Sequence, residues 1–103
     1  MVKAYYFYDV AEEKQAEYLK FVAEVLKPFF QSRGARSYDV HQNVNLEKST
    51  NFMAEMIFDD VETMQKTKGL HGNDPEYDAM VQRFFSFVTE PGVKPMGNYV
   101  QKI

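Results

Sequence analysis

The run Met53-Ala54-Glu55-Met56-Ile57-Phe58-Asp59-Asp60 constrains the fold more than any other stretch of this chain. A mostly apolar segment of strand length stops at two aspartates, so a strand hands over directly to a helix that a carboxylate can cap. The neighbouring segments repeat this grammar. Val2 to Tyr8 is aromatic-rich and predicts a first strand. Asp9 with Glu12 has the spacing of a capping box and predicts a helix from Val10, with Tyr18, Phe21, Val22, Val25, Leu26 and Phe29 as its apolar stripe. Pro28 removes an amide and clashes with the Glu24 carbonyl, so the last turn is expected to bend or tighten, and Gly34 ends the helix.

Ala35 to Asn45 predicts a second strand, with Tyr38, Val40 and Val44 on one face and Asp39, His41 and Asn43 on the other. After a polar connection over Leu46 to Thr50, Asn51 to Phe58 forms the third. Asp59 with Glu62, or Asp60 with Thr63, caps a short helix carrying Val61 and Met64, which Gly69 and Gly72 interrupt. Asp74-Pro75 starts a further helix whose buried face is Tyr77, Met80, Val81, Phe84, Phe85 and Val88. Glu90-Pro91-Gly92 is a turn, and Val93 to Ile103 supplies a last strand that Pro95 and Gly97 suit to an edge. The order is βαββαβ with its second helix in two pieces. This is the ferredoxin-like α+β pattern, a four-stranded antiparallel sheet with its helices on one face, and residues 1–103 make one domain of it. The other face is left bare with aromatics on it, and a homodimer that apposes two such sheets is the simplest cover.

Composition excludes several classes of function. The net charge is −3, from 12 basic and 15 acidic residues, which argues against a nucleic-acid partner. With no cysteine there is no disulfide, thiolate nucleophile or cysteine metal site, and a reducing cytoplasm is the expected setting. No basic-then-apolar leader precedes the first strand, and no apolar run nears the ~20 residues of a membrane helix. Two distant histidines give no metal-ligand spacing. Phosphate loops, nucleophile elbows and dinucleotide fingerprints are missing from the sequence. An RNA-recognition module shares the element order, but its third strand opens on a basic residue and glycine, where this chain has Asn51-Phe52-Met53-Ala54-Glu55.

Three segments resemble EthD-type proteins of the dimeric α+β barrel group. Glu17 to Phe29 is similar to their first-helix pattern Glu-x-x-x-x-x-Glu-Val-His-x-Pro-Leu, Ala54 to Asp60 to their third-strand Ala-Glu-Leu-x-Phe-Asp-Ser, and Asp74-Pro75-Glu76 to the start of their second helix. The resemblance implies a dimeric α+β barrel with a ligand cavity. It also implies a range of roles: cofactorless oxygenation, decarboxylation or dehydration of polyketide-type aromatics, lactone isomerisation, or ligand binding without reaction. One departure stands out, because the histidine of the helix pattern is Leu26 here. Haem-degrading relatives resemble one another in a cavity Trp and a helix His, and this chain has neither a Trp nor a His between Pro75 and Val88.

The candidate chemistry begins with Asp39, His41 and Asn43, which alternate with apolar residues and so project from one face of the second strand. Polar groups pack poorly under helices, so this face belongs on the open side of the sheet, where a dimer would make it a cavity wall. His41 is then the candidate general acid/base and Asp39 its orienting partner; ordinary polar residues on an exposed edge strand are the alternative. Glu55 is a third catalytic candidate, although strand parity leaves its face undecided, and a structural pairing to a Tyr or Lys accounts for it equally. His71 sits on the joint between Gly69 and Gly72, where it can reach a ligand or be a plain loop residue. Tyr5 to Tyr8 put rings on both faces of the first strand, and Tyr6 and Tyr8, with Asn43 and His71, are the ligand-binding candidates. The expected protein is a homodimer that takes a small aromatic or apolar metabolite without a cofactor, as a tailoring enzyme of secondary or aromatic metabolism (oxygenase, decarboxylase, dehydratase or cyclase) or as a non-catalytic carrier.

Overall fold

The computed structural model describes residues 1–44, 50–88, 98–101 and 103. Four strands form one antiparallel sheet in the order β2-β3-β1-β4, with β1 at Val2–Tyr8, β2 at Ser37–Gln42, β3 at Phe52–Phe58 and β4 at Asn98–Gln101. Between β1 and β2 runs one helical rod. It starts with a 3₁₀ turn at Glu12–Lys14, continues as α1 (Gln15–Phe21), widens into a π-helical segment (Val22–Leu26) and ends as α2 (Lys27–Ser32). Two helices, α3 (Val61–Lys68) and α4 (Pro75–Phe87), link β3 to β4. This is the ferredoxin-like α+β fold.

Strict alternation divides the sheet into two faces. Val2, Ala4 and Tyr8 of β1, Tyr38 of β2, and Phe52, Ala54, Met56 and Phe58 of β3 are buried under the helices with Leu26, Phe30, Met80 and Phe87. The opposite parity (Lys3, Tyr5, Phe7, Asp39, His41, Met53, Glu55, Ile57) carries no helix, and its residues are half-buried or exposed. The strand bounds are slightly tighter than the sequence pattern implies. Val44, expected on the inner face, lies beyond the end of β2 and is fully exposed. The expected turn at Glu90-Pro91-Gly92, the edge residues Pro95 and Gly97, and most of the Leu46 to Thr50 connection lie outside the described residues.

The rod departs from expectation twice. Asp9 caps no helix: its Oδ1 accepts the Asn51 amide at 2.7 Å, while the Asn51 side chain bonds both the amide and the carbonyl of Val10 at 3.0 Å. The first turn therefore waits until Glu12 and has no side-chain cap. Pro28 also acts differently from the predicted tightening. It has no amide for the Glu24 carbonyl, and the turn before it opens instead, the Lys27 amide reaching back five residues to the Val22 carbonyl. The buried position after Leu26 is Phe30, four residues on, and Phe29 is half-buried against the core. The rod ends in a Schellman motif: Ala35 donates to the Phe30 carbonyl at 2.9 Å and Gly34 takes φ +107°.

The remaining caps follow the sequence. Asp60 caps α3 by accepting the Thr63 amide at 2.7 Å, and Asp74 caps α4 through Glu76 and Tyr77 with Pro75 next to it. Asp74 is also tied to the rod by Arg33 at 3.1 Å, and Arg33 reaches Glu76 at 2.8 Å. On α4, Phe87 is buried where Phe85 was expected, and Phe85 is half-exposed. Val61 is likewise exposed on α3, while Met64 is buried.

Candidate functional site

A pocket of about 200 Å³ lies between the helices and the sheet. Tyr6, Tyr38 and Met56, one inward residue from each of β1, β2 and β3, form its floor. Leu26 and Phe30 make one wall, brought there by the turn after the π-helical segment. The facing wall is the stripe Tyr77, Met80, Val81 and Phe84 of α4. Phe85 and His71, both exposed, mark the mouth. An apolar cavity of ~150 Å³ takes a benzene ring, and pockets for drug-sized ligands start near ~300 Å³. The space therefore suits one ring or a compact fused pair.

Its chemistry is aromatic and phenolic. Phe30 stacks face to face on Tyr38 at 5.1 Å, and the Tyr77 ring stands edge-on to Phe30 at 6.0 Å. Burial pushes the Tyr38 phenol well above its ordinary pKa, helped by the phenols of Tyr8, Tyr6 and Tyr77 nearby. Behind the pocket, Tyr8 leans edge-on against Phe84 at 5.1 Å, and its hydroxyl meets that of Tyr18 at 2.5 Å. Burial raises both phenols, Tyr8 to about 12. Among the described residues no Asp, Glu, Lys or Arg lines the pocket. The site can hold a flat apolar body and offer neutral hydroxyls to its oxygens.

The mouth adds one ionisable pair. His71 Nδ1 lies 3.6 Å from Asp78 Oδ1, and that same oxygen accepts the Gly72 amide at 2.8 Å. Gly72 adopts φ +79°, a backbone shape glycine reaches without strain, and this folds the joint back onto α4. The Tyr77 ring stands edge-on to the imidazole at 6.4 Å.

The structure divides the sequence candidates between the two faces of the sheet. Tyr6 and His71 line the pocket, and Tyr8 is buried one layer behind it. His41, Asp39 and Glu55 are on the bare face, away from this pocket. Asp39 pairs with Lys27 at 3.2 Å instead of orienting His41, which is exposed and opposite Met53 in the register. Glu55 sits between Asp39 and Tyr5 across the strands and accepts the Tyr5 hydroxyl, which raises the Tyr5 pKa. Asn43 follows the end of β2, its amide bonded to the Asn51 carbonyl at 2.9 Å. Sequence reasoning put Tyr77 on a buried helix face and Tyr38 on the apolar face of its strand, left the face of Met56 undecided, and passed over Asp78. The signal it had was a phenol in each apolar stripe.

Among the described residues no three His, Asp or Glu converge to hold a metal ion, and no helix is long and apolar enough to cross a membrane.

No family model and no curated protein matches the sequence. Solved structures do match. An ethyl tert-butyl ether D (EthD) family protein from Bacillus halodurans C-125 superposes with a TM-score of 0.66 at 22% identity, over 100% of this chain and 99% of that one. The chain has the fold of an EthD-family protein. A proposed antibiotic biosynthesis monooxygenase from Bordetella bronchiseptica matches with a TM-score of 0.70 at 16% identity, over 99% and 96% of the two chains. A dimeric protein of ferredoxin-like fold from Bacteroides fragilis matches with 0.64 at 13%, over 98% and 95%. At these identities the likeness is one of architecture, and the EthD-like frame leaves chemistry to the side chains.

Proposed function

We propose that this chain binds a small, planar, oxygen-bearing aromatic metabolite in the pocket between its helices and its sheet, and modifies it without a cofactor as a tailoring enzyme. The observation that carries this reading is the pocket lining: an apolar slot with neutral phenols at its floor and wall and an imidazole at its mouth. A non-catalytic carrier is the second reading, favoured by a lining that, among the described residues, holds no carboxylate. The bare face of the sheet, with Phe7 and Val100 each 42% exposed beside Tyr5, Met53 and Ile57, is where a second copy sits in a homodimer. His41, Asp39 and Glu55 then act at the seam between the two copies, and the ligand stays within each protomer.

Two measurements test this. Calorimetric titration with naphthols and hydroxyquinones should show saturable binding that Val81→Phe, which fills the slot, abolishes while the far-UV spectrum and melting temperature hold. His41→Ala should leave that binding intact. Loss of binding in His41→Ala with retention in Val81→Phe would move the ligand to the other face. Light scattering should give twice the chain mass, falling to one chain in Phe7→Glu.

A further inference from the structure

We infer that His71, held by Asp78, is the group that takes the proton from the ligand's acidic hydroxyl at the pocket mouth, with Asp78 as its positioning residue. The inference rests on the pocket reading above and adds its acid–base chemistry. The ligand class narrows with it, to phenols and enols acidified by a conjugated carbonyl or nitro group, whose O–H lies within reach of an imidazole, unlike that of a simple phenol at about 10.

Three observations combine. His71 lines the same pocket as Tyr6, Tyr38 and Tyr77, so a flat ligand in the slot meets the imidazole at its open end. The ring's Nδ1 faces the Asp78 carboxylate at 3.6 Å, which leaves Nε2 for the ligand. Asp78 is itself fixed, because Oδ1 accepts the Gly72 amide at 2.8 Å and its helix is pinned at the start by the Asp74 cap. At 3.6 Å the pair is an ion-pair contact rather than a formed hydrogen bond, and catalytic contacts are commonly long before a ligand binds. Among the described residues, Asp78 and Tyr77 on α4 stand against the imidazole, Tyr6 and Tyr38 line the same pocket, and Lys68 is tied to His71 through its carbonyl, which accepts the His71 amide at 3.2 Å.

The step balances within the site. The ligand O–H bond breaks, its electron pair stays on oxygen, and a new N–H bond forms on His71 Nε2. The imidazolium so formed faces the Asp78 carboxylate, and the ligand oxyanion shares the pocket with the Tyr6, Tyr38 and Tyr77 phenols. A ring activated in this way is electron-rich at its ortho and para carbons, where a tailoring reaction would begin.

The test uses 4-nitrophenol, which changes colour as it ionises near neutral pH. Its ionisation is followed against pH while bound to the intact protein, with binding measured separately by calorimetry. An apolar slot alone raises a phenol's ionisation midpoint, and a neighbouring imidazolium lowers it. His71→Gln should therefore shift the bound probe's midpoint up by about one pH unit or more relative to wild type. Asp78→Asn keeps an acceptor for the Gly72 amide but loses the charge, and should shift it part of the way. Equal midpoints in wild type and His71→Gln, with the probe still excluded by Val81→Phe, would overturn the proton-transfer role alone. If the probe fails to bind, or binds Val81→Phe as well as wild type, the pocket reading falls and this inference with it.

Discussion

The buried hydroxyl pair Tyr8–Tyr18 makes a quantitative test of how the interior is held. The two oxygens are 2.5 Å apart, the rings meet edge-to-face at 5.8 Å, and both residues are completely buried. Neither hydroxyl has water to fall back on. Tyr18→Phe removes one partner and strands the other, which costs about 1–3 kcal/mol, and Tyr8→Phe does the same from the other side. Removing both hydroxyls strands nothing, so the double variant should be more stable than the sum of the single effects predicts, by about 1–2 kcal/mol. In a domain of this size each kcal/mol moves the melting temperature by about 4–8 °C. Urea unfolding of the four proteins, followed by far-UV circular dichroism, gives the coupling directly. Strict additivity would refute the argument, because it would mean that each hydroxyl is satisfied independently of the other.

Gly34→Ala should destabilise by about 1–2 kcal/mol, because φ is +107° there and a Cβ would lie 3.0 Å from Thr63 Cγ2 and 3.2 Å from Thr67 Oγ1; an unchanged urea midpoint would contradict this. Alkaline stability should follow the buried phenols. Tyr8 ionises at about 12 in the folded chain against 10 in the unfolded one, so its contribution is full below pH 10 and declines from there to about pH 12. The slope is about 1.4 kcal/mol per pH unit for each such phenol, and tyrosinate absorbance should rise together with unfolding. Asp74 shows the opposite sign. The Arg33 hydrogen bond holds its carboxyl below the usual range, so the stability it supplies is present above the unfolded pKa and is lost as pH falls through the folded one. Asp74→Ala should accordingly lower the melting temperature and flatten its fall in acid.

The strands, the Asp60 and Asp74 caps and the topology were legible in the sequence, because alternation and capping act over a few residues and need no knowledge of the rest. The hydrogen-bond pattern of the long rod was not. Pro28 shows that a hydrogen bond is missing, but whether the chain answers by tightening or by widening depends on the sheet packed beneath it. The pocket was hidden for a related reason. Tyr38, Met56 and Met80 occupy core positions, and only their packed neighbours decide whether such residues fill space or border it. His71 stood out by its place between two glycines, whereas its link to Asp78 depends on the fold of the joint. His41 lies on the helix-free face, as alternation implied, but its expected partner, Asp39, turns to Lys27 at the start of α2.

The described residues that line the chamber all come from one polypeptide. Occupancy should therefore reach one molecule per chain along a simple hyperbola, whatever the number of chains in the assembly. Mixed assemblies of wild-type and Val81→Phe chains should lose capacity in proportion to the blocked copies, with the affinity of the open ones unchanged.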